Sequence, residues 1–302
     1  MTGFLNGSQI EAPAGEIAGY GLGGSGFVLR LLTDLFPSLP FRFLTWNDSP
    51  SRESFTIFVS YSGETPEVIE MAKRWQGSKR VCVVTSGGRL LQWAEENNIP
   101  FVLLPAGFLP RFAYYEMLGA VLGIIRSQEA SLNSEDLFSI VSYLQTHLTF
   151  MVEAGERLAK NWEASGRKIP VIWGIEGITG IVAYRWRTQI NENAKILCIS
   201  HQLPESAHNE LTALSPEVFP IFLATDFDPP FLVHQREILQ KMLEKLSCPP
   251  QMVVSDAPLR VSALLSLIVV GDAFSLSVAK LLGQDPVAIP LITNMRKEMN
   301  SR

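Results

Sequence analysis

Short β-rich runs alternate along this chain with segments of helical periodicity, a rhythm that few folds accommodate. In the first part of the chain, apolar residues recur at helical spacing over 27–36, 66–75 and 90–97. Strand, helix, strand is the repeating unit, which is typical of a parallel sheet wrapped by helices. The candidate strands are 17–21, 41–46, 55–60, 80–85 and 101–104.

The second half of the chain repeats this pattern after an interruption. Residues 111–164 show no strand pattern, and one apolar helical stripe runs along 134–158. The alternation then resumes, with candidate strands at 170–173, 218–225 and 251–255 and candidate helices at 178–190, 234–246, 262–283 and from about 290. The similar halves suggest an old duplication.

The length of 302 residues exceeds what a single core usually supports. We therefore predict an α/β protein with two domains, residues 1–130 and 169–302, joined by a helical connector at 131–168. Each domain is expected to be a mainly parallel sheet between layers of helices, a three-layer sandwich.

Composition excludes several classes of partner. The net charge is −5, and no run of Lys or Arg could neutralise a nucleic-acid backbone. The most apolar run, 261–270, is about half the length of a membrane span, and the N-terminus has no basic region before an apolar core. Cys82, Cys198 and Cys248 are far apart and odd in number, which indicates reduced, structural thiols. We expect a cytoplasmic protein that binds neither nucleic acid nor membranes. The 47% of hydrophobic residues points to extra apolar surface buried between subunits.

A glycine-rich turn follows the first predicted strand. Gly21, Gly23 and Gly26 fit the spacing G-x-G-x-x-G, which occurs in dinucleotide-binding sites. No acidic residue ends the second predicted strand, and Asp48 lies in a polar loop beyond it. Three interpretations stay open from the motif alone: dinucleotide binding, a structural tight turn, or contact of backbone N–H groups with a phosphate or sugar.

A second loop, Ser60-Tyr61-Ser62-Gly63-Glu64-Thr65, carries three hydroxyls at the end of the third predicted strand. Thr65-Pro66 is typical of a helix start, so the hydroxyls converge on a helix N-terminus, where phosphate is stabilised. The alternative is a loop that caps its own helix, which needs only one hydroxyl. The loop Thr85-Ser86-Gly87-Gly88-Arg89 follows the next strand and would border the same crevice.

Two further residues are candidates for proton transfer. Glu192, in Asn191-Glu192-Asn193-Ala194-Lys195, ends a predicted helix and could act as a general base among amides. By residue type alone, a glutamate is more often a surface residue. His208 follows 16 residues later, and a lone histidine is usually structural or exposed. No constellation surrounds His147, His201 or His234.

In order and spacing, these motifs together resemble the bifunctional phosphoglucose/phosphomannose isomerases, which are built from two sugar isomerase (SIS) domains of Rossmann-like architecture. The resemblance covers nearly the whole chain. Ser-Tyr-Ser-Gly-x-Thr marks any SIS domain, and its combination with Asn-Glu-Asn-Ala-Lys and His208-Asn209-Glu210 is more specific.

The resemblance implies an aldose–ketose isomerase acting on hexose 6-phosphates without metal or organic cofactor. Glu192 would shuttle a proton between C1 and C2, Arg111 would steady the enediolate, and His208, supplied by the neighbouring subunit of a homodimer, would open the sugar ring. The residues that would hold the phosphate are Gly24 by its backbone, Ser25, Ser60, Ser62 and Thr65.

Three departures from the family pattern bear on turnover. Arg296 stands where the family has an active-site lysine, with Lys297 one position later, and arginine cannot easily give up a proton. Ile289 occupies a position where relatives tend to have threonine, which predicts a preference for glucose 6-phosphate over mannose 6-phosphate. The N-terminus is expected to lack the usual helical segment. The alternatives are a catalytically impaired sugar-phosphate-binding or regulatory protein, another SIS activity such as amino-sugar phosphate isomerisation, or nucleotide binding.

Overall fold

In the computed structural model, which describes residues 2–51 and 53–300, the strands form two separate parallel sheets. The first lies in the unit Met1–Leu137 and the second in the unit Phe138–Arg302. The predicted α/β class and the two helix-flanked parallel sheets are confirmed. The proposed boundaries at 130 and 168 stay a prediction.

The first unit has a five-stranded sheet in the order β2-β1-β3-β4-β5, with every neighbouring pair parallel. The three central strands are buried on both faces because helices cover both sides of a parallel sheet. The edge strands are partly exposed. The strands are β1 (Ile17–Tyr20), β2 (Phe41–Phe43), β3 (Phe55–Val59), β4 (Val81–Thr85) and β5 (Phe101–Leu103).

One helix of this unit, α3, begins at residues that are typical of a helix start. Pro66 takes the first position of α3, where its missing N–H costs nothing, and Thr65 precedes it as N-cap. Apolar side chains of α3 and α4 pack on the sheet around Trp75. The helices are α1 (Thr2–Gly7), α2 (Gly23–Leu35), α3 (Pro66–Lys73), α4 (Gly88–Glu96) and α5 (Tyr114–Ile125).

The short helix α1 corrects the expectation that the N-terminal helical segment is missing. It packs against α5 at very close range, since a Cβ on Gly3 would lie 2.2 Å from the carbonyl oxygen of Glu116. A Cβ on Gly7 would lie 2.0 Å from the carbonyl oxygen of Ala120. Glycine lowers helix propensity, but it lets two backbones touch, and here the contact outweighs the propensity.

The second unit has a four-stranded parallel sheet in the order β7-β6-β8-β9. Its edge strand β7 was not predicted. The elements are α6 (Ser134–Ala164), β6 (Ile169–Ile175), α7 (Gly180–Gln189), β7 (Ile199–Leu203), β8 (Val218–Thr225), α8 (Pro230–Lys245), β9 (Gln251–Ser255), α9 (Arg260–Leu281) and α10 (Pro290–Asn300).

The helix α9 is the one helix in the described part of the chain with the length and composition of a membrane span. Of its most apolar stretch, 72% is buried inside the structure, as in the core helix of a folded domain. The length and composition of this one helix are therefore weak evidence for a membrane span.

In each sheet, strand order reverses at one point. From β1 the chain first adds β2 on one side of the sheet. It then returns and adds β3, β4 and β5 on the other side. The same reversal occurs between β6 and β8 in the second unit. Crevices outside the carboxyl ends of strands at such reversals are the usual ligand sites of open parallel sheets. In the first unit, the glycine-rich turn and the hydroxyl loop therefore follow the two strands that flank this point.

Candidate active site

The glycine-rich turn runs from the end of β1 into the first turn of α2. A Cβ on Gly26 would lie 2.4 Å from the carbonyl oxygen of Gly21, so the turn closes only without side chains there. The hydroxyl of Ser25 is buried, accepts a hydrogen bond from the N–H of Tyr61 (3.2 Å) and donates to the sulfur of Met117 (3.3 Å). Thioether sulfur is a weak acceptor, so a phosphate oxygen could take over this proton.

In the hydroxyl loop, the side chain of Thr65 does not cap its own helix. It is the N-cap residue of α3, yet its hydroxyl makes no capping hydrogen bond. Instead it accepts a hydrogen bond from the Ser60 hydroxyl at 3.1 Å. The Ser62 hydroxyl accepts from the N–H of Glu64 at 3.3 Å. Three hydroxyls thus surround the N-terminus of α3, as a phosphate cradle requires, and the self-capping alternative does not apply to Thr65.

The loop after β4 braces the hydroxyl loop through the backbone. A Cβ on Gly63 would meet the carbonyl oxygen of Gly87 at 1.8 Å, so the two backbones are in direct contact. The Glu64 carboxylate accepts hydrogen bonds from the backbone N–H of Arg89 (3.0 Å) and from its Nε (2.9 Å). Arg89 therefore fixes the loop and has its charge paired with Glu64.

Arg111 lies beside the glycine-rich turn. It is buried, and a Cβ on Gly24 would lie 3.5 Å from its Cα. The Tyr61 hydroxyl donates to the carbonyl of Pro105 (2.8 Å) and accepts from the N–H of Phe108 (3.0 Å), which ties the segment before Arg111 to the hydroxyl loop. The first unit thus gathers the predicted phosphate ligands and one buried cation around two helix N-termini.

The corresponding edge of the second sheet has different chemistry. Carboxylates follow the ends of β6, β8 and β9; Asp228 is buried and paired with Arg236, and the other three are exposed and would repel a phosphate. The four carboxylates are Glu176, Asp226, Asp228 and Asp256. The predicted phosphate ligands all belong to the first unit.

Glu192 lies where α7 ends, as predicted, in a π-helical turn formed by Ile190–Ala194. Such turns are rare and frequently occur at functional sites. The amides on either side are anchored: the Asn193 side chain donates to the Ser275 hydroxyl (3.0 Å), and the Asn191 side chain accepts from the N–H of Cys198 (2.9 Å). The half-exposed Glu192 carboxylate is therefore carried on a fixed backbone.

Contacts between α7 and α9 hold this turn in place. Arg185, which is almost fully buried, pairs with Asp272 at 2.9 Å. The indole N–H of Trp186 donates to the carbonyl of Leu267 at 2.8 Å, and Gly271 leaves room for the ring. These contacts set the rotation of α7 and hence the direction of the turn that follows.

His208 lies in a separate, exposed turn of the second unit, the 3₁₀ turn Glu205–His208 after β7. Sequence reasoning missed the residue that steadies this region, His201 on β7. Its ring contacts the Glu210 carboxylate and packs 5.1 Å from the Trp173 ring centroid. Burial lowers the pKa of His201, and the neighbouring Glu210 carboxylate opposes this shift. Without β7, the sequence offered no signal for this pair.

The two candidate residues near the C-terminus are not buried. Arg296 is exposed on α10, and Ile289 is half-buried just before that helix.

The three cysteines are buried and unpaired, and burial raises the pKa of the Cys82 and Cys198 thiols, which makes them unreactive.

Several known proteins with similar sequences are named as enzymes of sugar phosphates. Residues 152–299 match a model of the bacterial phospho-glucose isomerase C-terminal SIS domain. The chain is 28% identical over 319 residues to the bifunctional phosphoglucose/phosphomannose isomerase of Aquifex aeolicus, covering 99% of this chain and 97% of that protein. It is 30% identical over 220 residues to the D-glucosamine-6-phosphate 4-epimerase of Sulfolobus acidocaldarius, covering 70% of each.

A solved structure shows the same fold. The C-terminal domain of glucosamine-fructose-6-phosphate aminotransferase from Francisella tularensis matches with a TM-score of 0.71 at 14% identity, over 94% of this chain and 94% of that chain.

Proposed function

Since the chain belongs to the bifunctional phosphoglucose/phosphomannose isomerase family of SIS-domain proteins, we propose that it interconverts glucose 6-phosphate and fructose 6-phosphate. The reaction moves one hydrogen between C1 and C2 of the open-chain sugar and one hydroxyl proton between O2 and O1, with no net change of oxidation state. It needs a base for the carbon-bound proton, a stabiliser for the enediolate and a holder for the phosphate.

The residues divide these tasks. The hydroxyls of Ser25, Ser60, Ser62 and Thr65, with the backbone at Gly24, bind the phosphate. Glu192 removes the proton from C2 of the aldose and returns it to C1, and in the reverse direction it does the opposite. Arg111 stabilises the negative charge that develops on the enediolate oxygen, and His208 opens the ring. Passage of the hydroxyl proton from O2 to O1 completes the balance, and no oxidant or reductant is consumed, so the reaction requires no redox cofactor.

The π-helical turn at Glu192 carries this proposal. Its neighbouring amides are fixed by Ser275 and by the N–H of Cys198, so the backbone that presents the carboxylate is preorganised. A surface glutamate at an ordinary helix end would need neither the rare turn nor these anchors.

A coupled assay with purified protein tests the proposal. Glucose 6-phosphate formation from fructose 6-phosphate, followed by an NADP-linked dehydrogenase, should proceed well above the rate without protein. Absence of turnover with both glucose 6-phosphate and mannose 6-phosphate would favour the catalytically impaired alternative, which Arg296 and Ile289 motivate.

A second candidate function is an activity on amino-sugar phosphates. Its support is the relative named D-glucosamine-6-phosphate 4-epimerase, which matches at 30% identity. Product analysis by NMR after incubation with glucosamine 6-phosphate would separate the two, since epimerisation at C4 and isomerisation at C1–C2 give different sugars.

We also propose a homodimer in a reducing compartment, the cytoplasm. His208 is exposed and thus accessible to a second copy, and many large apolar side chains of the described residues are exposed. The three unpaired thiols suit a reducing compartment.

A further inference from the structure

Lys195 closes the turn that carries Glu192. Its ammonium donates to the carbonyl of Glu192 at 2.9 Å and to the carbonyl of Asn193 at 3.2 Å. These are the carbonyls that a helix leaves unpaired at its C-terminus, where positive charge is also favoured by the helix dipole. A third hydrogen bond goes to the carbonyl of Asp285 at 2.6 Å, ninety residues further along the chain.

The backbone of Lys195 adopts an unfavourable conformation to make these contacts. Its φ is +58°, in the left-handed region where glycine is the usual residue after a helix. A lysine at this position gives up the backbone freedom that glycine would have. The lysine side chain therefore contributes the hydrogen bonds to three carbonyls, which glycine could not make.

The third carbonyl belongs to the segment that leads to the C-terminal helix. The carboxylate of Asp285 accepts a hydrogen bond from the N–H of Val287 at 2.8 Å, which makes a tight turn across Pro286. Ile289 follows, and α10 then carries Arg296. Lys195 thus joins the turn of the proposed base to the segment that bears both departures from the family pattern.

We propose that Lys195 is a positioning residue: it fixes the direction of Glu192 and holds the C-terminal segment in register with it. The inference rests on the proposed function, because Glu192 must act as the base for its direction to affect the rate. Lys195 itself touches no reacting atom in this scheme.

The test compares two variants that lose the ammonium. Lys195→Met keeps a side chain in the strained left-handed conformation, whereas Lys195→Gly also removes that strain. Lys195→Met and Lys195→Gly should both lower kcat roughly tenfold to a hundredfold, the size expected for displacing a reacting group by about 1 Å. KM should change less than about threefold, since the phosphate contacts are untouched. Lys195→Gly should nevertheless have a higher Tm than Lys195→Met, because glycine accepts the left-handed conformation.

Matched controls lie at the end of α8. Lys245 is an exposed lysine in the last turn of that helix, and Ser247 has φ +59° just beyond it. Lys245→Met should leave kcat unchanged, and Ser247→Gly should raise Tm without affecting kcat. Lys195→Arg, which keeps the charge and donors on a larger planar group, should recover only part of the lost rate.

Two results would overturn the inference. A kcat for Lys195→Met within about twofold of the native value would show that Glu192 does not depend on the hydrogen bonds made by Lys195. A kcat that follows Tm, with Lys195→Gly more active than Lys195→Met in proportion to its stability, would indicate a merely structural role.

Hydrogen–deuterium exchange separates failure of this inference from failure of the proposed function, because it needs no activity. In Lys195→Met, amides of residues 190–198 and of 285–293 should both exchange faster than in the native protein and in Lys245→Met. Unchanged exchange in 285–293 would refute the coupling whether or not the native protein isomerises sugars.

Discussion

At the scale of single residues, the hydroxyls of Ser60 and Thr65 form a pair rather than two independent ligands. Ser60 donates to the Thr65 oxygen at 3.1 Å, so the Thr65 proton is directed away from Ser60. A phosphate that accepts this proton would strengthen the Ser60 hydrogen bond as well, since hydrogen bonds in a chain polarise one another. Removing either hydroxyl then breaks the same chain.

We therefore predict that Ser60→Ala and Thr65→Val each weaken binding of fructose 6-phosphate by about 1.5–3 kcal/mol, and that the double variant loses less than the sum. Calorimetric titration of the four proteins gives the coupling energy directly. Thr33→Val, an exposed threonine on α2, is the matched control and should bind normally. Fully additive losses would show that the two hydroxyls act separately.

Ile289 is the residue that should determine the epimer preference. An enediol must turn about C2–C3 for mannose 6-phosphate to react, and a stiff β-branched side chain without a hydroxyl hinders this rotation. We expect kcat/KM to favour glucose 6-phosphate, and Ile289→Thr to narrow the ratio. The control is Ile292→Thr on α10, where Ile292 is 41% exposed. Equal kcat/KM for both epimers in the native protein would contradict this role.

At the scale of elements, the proposed phosphate site depends on backbone contact between two loops. Gly63 has φ +65°, and its hydrogen faces the carbonyl of Gly87 at a distance that no Cβ could occupy. The hydroxyl loop and the loop after β4 therefore pack as one body. The N-terminus of α3 keeps its direction through this contact.

The comparison of Gly63→Ala with Gly77→Ala tests this packing. Both glycines have positive φ, but a Cβ at Gly77 would have no neighbour within 4 Å. Gly77→Ala should cost about 1–2 kcal/mol of stability from the backbone conformation alone, with sugar-phosphate affinity unchanged. Gly63→Ala should cost more and weaken binding at least about tenfold, because the loops must separate. Equal effects on affinity, measured by titration, would mean that the loop contact is irrelevant to the site.

Which elements could be read from the sequence follows from burial. Strands such as β3 and β8 are continuous apolar runs because both faces are covered, and they lie where predicted. The edge strand β7 reads Ile-Ser-His-Gln-Leu and is mostly half-exposed, so it lacks that signal. The helix α1 was missed because its two glycines serve a contact with α5 that no local pattern records.

The position of the candidate site along the chain could be predicted from the sequence to a similar, limited degree, and the roles of its residues stay a prediction. The loops that carry Ser60 and Glu192 could be identified because chemistry-bearing residues follow predicted strands and helices. The π-helical turn, the hydrogen bond from Lys195 to Asp285 and the His201–Glu210 contact depend on neighbours that are not adjacent in sequence. The sequence carried no signal for them.

At the scale of the whole molecule, two units with the same winding carry different chemistry. The orders β2-β1-β3-β4 and β7-β6-β8-β9 correspond strand by strand, which supports the duplication suggested by the sequence. After duplication, one sheet edge would have kept hydroxyls for an anion and the other would have acquired carboxylates. The turn bearing Glu192 lies in the unit whose sheet edge is acidic.

The proposed sharing of His208 between subunits predicts complementation. Glu192→Gln and His208→Ala chains should each be inactive, and an equal mixture, after exchange of subunits, should regain about a quarter of native activity. Half of the dimers would be mixed, and each would contain one site with both native groups. Sedimentation checks the assembly. A monomer at assay concentration, or a mixture that stays inactive although mixed dimers form, would contradict the shared site.

Proton transfer by Glu192 is tested most directly by NMR of the sugar in D₂O. The native protein should place deuterium at C1 of fructose 6-phosphate and at C2 of glucose 6-phosphate while interconverting them, as exchange from an enediol requires. Glu192→Gln should bind fructose 6-phosphate with nearly native affinity but turn over about 10²–10⁴-fold more slowly, the usual contribution of a general base. Glu217→Gln, at an exposed glutamate of the same unit, should behave as the native protein. Near-native deuterium incorporation by Glu192→Gln would contradict the account.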